Sequence, residues 1–94
     1  MSLDREVKDA ERGRLADEVL TNPVYAESYE LIEQELTRKW RESRDKDERE
    51  QLHQLLRMLD KARNVLETTM RTGQIAKKEL ERKQSLIGRL SRVA

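Results

Sequence analysis

The chain has 94 residues, 41% of them Asp, Glu, Lys or Arg, and a formal net charge of +1. There is no cysteine, which excludes a disulfide framework and a thiolate metal site. Leu, Ile and Val number 21, about 22%, and there is no Phe, so the composition lies just above the limit at which chains stop folding alone.

A single domain of this length buries a small core and commonly needs oligomerisation to support it. No apolar run approaches the roughly 20 residues that span a bilayer. The N-terminus alternates charges and lacks the apolar stretch of a signal peptide. The expectation is a soluble protein made in the cytoplasm, with no membrane partner. Charge is unevenly spread: residues 1–34 hold nine acids and four bases, whereas residues 71–94 hold two acids and seven bases. The chain is an acid-to-base gradient.

Taken in order, the first predicted element is an acidic helix over residues 1–21. Leu3, Val7, Ala10, Leu15, Val19 and Leu20 recur at roughly helical spacing, interrupted by Gly13, which lowers local propensity by about 1 kcal/mol relative to Ala. The clearest start signal follows: Asn22 can cap a helix through its side-chain oxygen, with Pro23 at the first helical position. That helix, to about residue 42, places Tyr25, Tyr29, Ile32, Leu36 and Trp40 on one face, with Val24 and Leu31 widening the stripe. Residues 41–50 carry no large apolar side chain and read as a turn, with Asp45 or Asp47 as the next cap.

The next helix, over residues 46–72, carries Leu52, Leu55, Leu56, Leu59, Ala62, Leu66, Thr69 and Met70. Met58 and Val65 lie to one side, seven residues apart, as candidates for a contact between copies. Two long helices with a short polar link pack best as an antiparallel hairpin. Gly73 then reads as a helix stop, able to take the left-handed conformation. The alternative is one helix running through it at a cost of about 1 kcal/mol. Beyond it, residues 73–94 form a basic helix with Ile75, Ala76, Leu80, Ile87, Leu90 and Val93 at helical spacing. Lys83 falls where an apolar residue belongs.

The fold class is therefore all-α: one domain, a hairpin of about 22–42 and 46–72 with a helix on each flank, forming a small, oligomeric bundle. Tyr25, Tyr29, Ile32, Leu36, Trp40, Leu55, Met58, Leu59, Val65 and Leu66 are the expected core and oligomer contacts. Aromatics at helical spacing serve as core or interface anchors. The cations Lys77, Lys78, Arg82, Lys83, Arg89 and Arg92 are the candidate partner-binding set. They suit an acidic protein surface first and nucleic acid second, because no aromatic is present among them for base stacking. The bland alternative is that they face the acidic first helix, or solvent.

No catalytic residue, cofactor or metal is indicated. Glu50 and His53 have the Glu-x-x-His spacing of carboxylate-bridged di-metal bundles. That chemistry needs a second copy and further carboxylates, and His53 is the only histidine. The cations from Arg38 to Arg49 alternate with acids, which suits i,i+4 pairing on a solvated face. No phosphate loop and no activated nucleophile is visible, so the chain reads as non-enzymatic.

The order Asn22-Pro23, Trp40, Arg49-Glu50, Leu59, and Gly73 with Ala76 resembles small all-helical proteins of tailed bacteriophages and prophages, encoded among virion-assembly genes. The resemblance spans residues 16–80. It implies a setting and no activity, so no functional residue is carried over. It implies a virion-structural or assembly protein acting through helix-mediated contacts, with itself and another phage protein as partners. The alternative is a small nucleic-acid-binding or host-regulatory phage protein using the same basic helix. The implied location is the cytoplasm of the bacterial host or the virion.

Overall fold

The computed structural model describes residues 3–93, with side chains described as far as Ser91. It contains three helices: α1 (Asp4–Thr21), α2 (Pro23–Glu42) and α3 (Lys46–Val93). There is no strand among the described residues.

One residue separates α1 from α2. Asn22 is extended, with ψ 121°, as the residue before a proline prefers. Its Oδ1 accepts hydrogen bonds from the Val24 N–H at 2.9 Å and the Tyr25 N–H at 3.3 Å. Two N–H groups left over at the start of α2 are thereby satisfied. Residues 43–45 join α2 to α3. Asp45 Oδ1 accepts from the Asp47 N–H at 3.0 Å, so Asp45 is the cap of α3. Arg49 donates to the carbonyl oxygens of Trp40 (2.8 Å) and Ser43 (3.1 Å), which lack partners within α2. Its guanidinium lies 4.4 Å from the Trp40 ring centre, a cation–π contact.

The expected stop at Gly73 does not occur. The expected helix of residues 46–72 and the expected basic helix after it are, as far as Val93, one helix of 48 residues, about 72 Å long at 1.5 Å per residue. No glycine has a positive φ, so Gly73 is in ordinary helical conformation. The reason it is glycine lies opposite. A Cβ built on Gly73 would come 2.5 Å from the Cα of Gly13 and 2.8 Å from the carbonyl oxygen of Asp9. A Cβ built on Gly13 would come 2.5 Å from the Cα of Gly73. The two glycines mark a backbone-to-backbone crossing of α1 and α3 rather than helix breaks.

The paired positions run in opposite directions. As the position on α1 and α2 climbs through 6, 13, 29 and 40, its partner on α3 falls through 83, 73, 60 and 49. α1 and α2 thus lie end to end as one layer, and α3 is the other. The molecule measures 75 × 25 × 15 Å, so the three helices form a long two-layer rod and not a compact bundle. Its surface is 8016 Å², against about 5,700 Å² for a compact monomer of 11.2 kDa. The core is correspondingly thin: Gly13, Ala16, Tyr29, Leu52, Gly73 and Ala76 are its buried residues among those described.

Replacing Gly73 by Ala should raise intrinsic helix propensity yet destabilise the protein by about 1–3 kcal/mol, because the added methyl has no room. Urea titration followed by circular dichroism measures this. A midpoint unchanged or raised in the variant would remove the close crossing from the account of the fold.

Candidate interaction surfaces

Three contacts hold the layers in register. At the open end, Lys83 donates to Glu6 across the interface at 3.1 Å, both side chains about three-quarters shielded from solvent. This explains a lysine at an apolar position of the α3 stripe: its butyl stem packs and its ammonium meets a carboxylate. Lys83 also lies 4.0 Å from Glu79. The Glu6 carboxyl is held below its ordinary range, first by a hydrogen bond from its own backbone N–H and then by the one from Lys83. Near the middle, Ala16 and Ala76 flank the glycine crossing and are 4% and 6% exposed. Toward the turn, the Tyr29 hydroxyl donates to Asp60 at 2.9 Å, and the Arg63 guanidinium sits 4.9 Å from the Tyr29 ring centre. Burial, and then the hydrogen bond to Asp60, push the Tyr29 phenol up to about 12. Tyr25 packs beside Tyr29, ring centres 6.4 Å apart.

The predicted contact residues divide into two groups. Tyr25, Leu36, Trp40, Leu59 and Leu66 are half-buried along the seam with Tyr29. Ile32, Leu55, Met58 and Val65 are exposed, Met58 by 62% and Val65 by 59%. Exposure extends to apolar residues outside that set: Val24, Leu31, Ile75, Leu86, Ile87 and Leu90. Ile87 and Leu90 continue the seam beyond the start of α1, where no α1 residue lies opposite.

The predicted cations also divide. Lys83 is engaged with α1, so it belongs to the fold more than to a docking surface. Arg82 pairs with Glu79 at 2.5 Å on the same helix. Lys77, Lys78 and Arg89 are exposed and form no ion pair among the described residues. The Arg92 side chain lies outside the described residues.

The charge gradient along the sequence becomes a separation between layers. α1 holds six acids and four bases, and α2 five acids and three bases. α3 holds seven acids and twelve bases. Glu50 and His53 are exposed beside Arg44, Lys46 and Arg49. No group of three potential metal-ligating side chains occurs among the described residues. No helix among them is long and apolar enough to cross a membrane. Comparison with protein families, curated proteins and solved structures finds no match. The geometry therefore carries the functional reading. It offers exposed apolar side chains on a rod and a basic layer.

Two pH effects follow. Glu6 titrates below the ordinary carboxylate value when folded, so its stabilisation is present above that value and is lost as pH falls through the folded one. Glu6→Gln should lower the urea midpoint at neutral pH, and the gap from the native chain should close on acidification. A gap that persists at low pH would mean that the ion pair is not its source. Tyr29 behaves oppositely. Its folded value is raised, so its stabilisation is complete below about 10, the free phenol value, and fades as pH rises toward about 12. Tyr29→Phe should cost about 1 kcal/mol at neutral pH and flatten the alkaline loss of stability. Phenolate absorbance and thermal unfolding across that range test it together.

Proposed function

We propose that this chain is a non-enzymatic virion-structural or assembly protein of a tailed bacteriophage, working through helix-mediated contacts with itself and with another phage protein. In this reading α2 and α3 act as a helical hairpin that α1 extends. The single observation that supports it most is the row of exposed apolar side chains on a 75 Å rod whose own core is thin. A surface of that kind is normally covered. The cations Lys77, Lys78 and Arg89 would present charge to an acidic protein surface, in the host cytoplasm or in the virion.

A second reading, binding of nucleic acid, draws on the same three unpaired cations. Against it stand the acidic α1–α2 layer and the absence of an aromatic side chain near them.

Fluorescence anisotropy with a duplex oligonucleotide separates the two readings. Under the structural reading, binding should be negligible at 150 mM salt and unaffected when Lys77, Lys78 and Arg89 are together changed to Gln. Tight binding that falls steeply with salt and is lost in the triple variant would favour nucleic acid instead.

A further inference from the structure

The exposed apolar residues are not scattered. α3 meets the other layer through positions 52, 59, 66, 73 and 80, seven residues apart. One position before this seam runs a second stripe of the same period, holding Met58, Val65 and Leu86, between 50% and 62% exposed. A shallow groove lined by Asp9, Arg12, Thr68, Thr69 and Thr72 identifies the side of the rod to which it belongs. Thr72 shares the heptad position of Met58, Val65 and Leu86. Arg12 shares that of Val19, which is 38% exposed. In an antiparallel pair the equivalent flanks of both helices lie on the same side. By the same phase, Ile32 and Leu55 border this side near the turn. The opposite side, where Ala10, Arg14 and Asp17 face Met70, Gln74 and Lys77, is polar apart from its small residues and Met70.

We propose that a second copy of this chain covers the Met58–Val65 side, with the two-fold axis along the rods and both turns at the same end. This rests on the oligomeric part of the reading above and adds its surface and geometry. Two arguments select this occupant. The first is charge. With the axis along the rods, each basic α3 lies between two acidic α1–α2 layers, its own and its mate's. An axis across the rods would instead set α3 on α3 and acidic layer on acidic layer. Opposite signs at neighbouring helices set orientation in bundles of this kind. The second is area. Contact from the level of Glu35 to that of Arg12 is about 35 Å long at 1.5 Å per residue. Across the 25 Å width of the rod this covers about 850 Å² per partner, the size of a standard stable interface. The result is a four-helix cross-section in which Met58 and Val65 become core and the interface is isologous.

The chain has no cysteine, so one introduced at Arg44, an exposed turn residue, takes a single spin label. Analytical ultracentrifugation should give a dimer, and pulsed dipolar spectroscopy a label separation under about 30 Å. Opposed turns would place the labels about 55 Å apart, twice the rise from residue 44 to the patch centre near residue 62. Met58→Glu combined with Val65→Glu should weaken dimerisation on the order of 100-fold. Both side chains are exposed in the single chain, so its helix content should not change, which circular dichroism checks. A strict monomer in the native protein would overturn both this interface and the oligomeric reading. A dimer with the long separation, or one indifferent to the double substitution, would overturn the interface alone.

Discussion

The contact on which the rest depends is the crossing of α1 and α3 at Gly13 and Gly73. Neither residue can gain a single methyl without meeting the backbone of the other helix. This closeness sets the spacing of the layers over that half of the rod, and it dictates alanine at positions 16 and 76 beside it. It also explains why so few large side chains are buried. Two helices that touch backbone to backbone leave no volume between them. α2, by contrast, meets α3 through Tyr29, Leu52 and the half-buried Leu36 and Leu59, over side chains of ordinary size. The rod is thus held by dispersion contacts of small residues at one end and by aromatic and aliphatic packing at the other.

Specific polar contacts secure what the thin core leaves loose. Glu6 with Lys83, Tyr29 with Asp60, and Arg49 with the end of α2 each join positions on opposite layers or across the turn. They are spaced along the length, so a slip of one turn would break all of them together. The glycine crossing fixes the register at one level, and partly shielded charges and hydroxyls fix it at the others. The separation of acidic and basic layers acts in the same sense over longer range.

Local signals in the sequence were legible because they depend only on neighbours. Asn22 with Pro23 and Asp45 before Asp47 carry their cap chemistry within three residues, and the structure uses both. The 3.6-residue stripes in residues 25–40 and 52–70 likewise announce helices. Gly73 was not legible, since a glycine that ends a helix and one that admits a neighbouring backbone look alike in sequence. What distinguishes them is Gly13, sixty positions away, and no local pattern links the two. For Lys83 the acidic first helix was one of the partners the sequence offered, and the structure bears this out; that the acid is Glu6, 77 residues distant, no local pattern could tell. The outward stripe was legible in part. Met58 and Val65 stood apart from the seam at a seven-residue spacing. Leu86 joins them only through a helix unbroken at Gly73, and Val19 only through the antiparallel register.

The order of pairing has a consequence for how the chain is made. Contacts at the turn join residues 9 apart, those at Tyr29 join residues 31 apart, and those at Glu6 join residues 77 apart. Loop closure favours the shortest of these first, so the layers zip from the turn outward. On a ribosome α1 emerges before α3, and the stretch of α3 that receives it is made more than fifty residues later. α1 is therefore made ahead of its partner and is the last of the three helices to dock. Until then ten of its 18 residues are charged, which favours solvent over association.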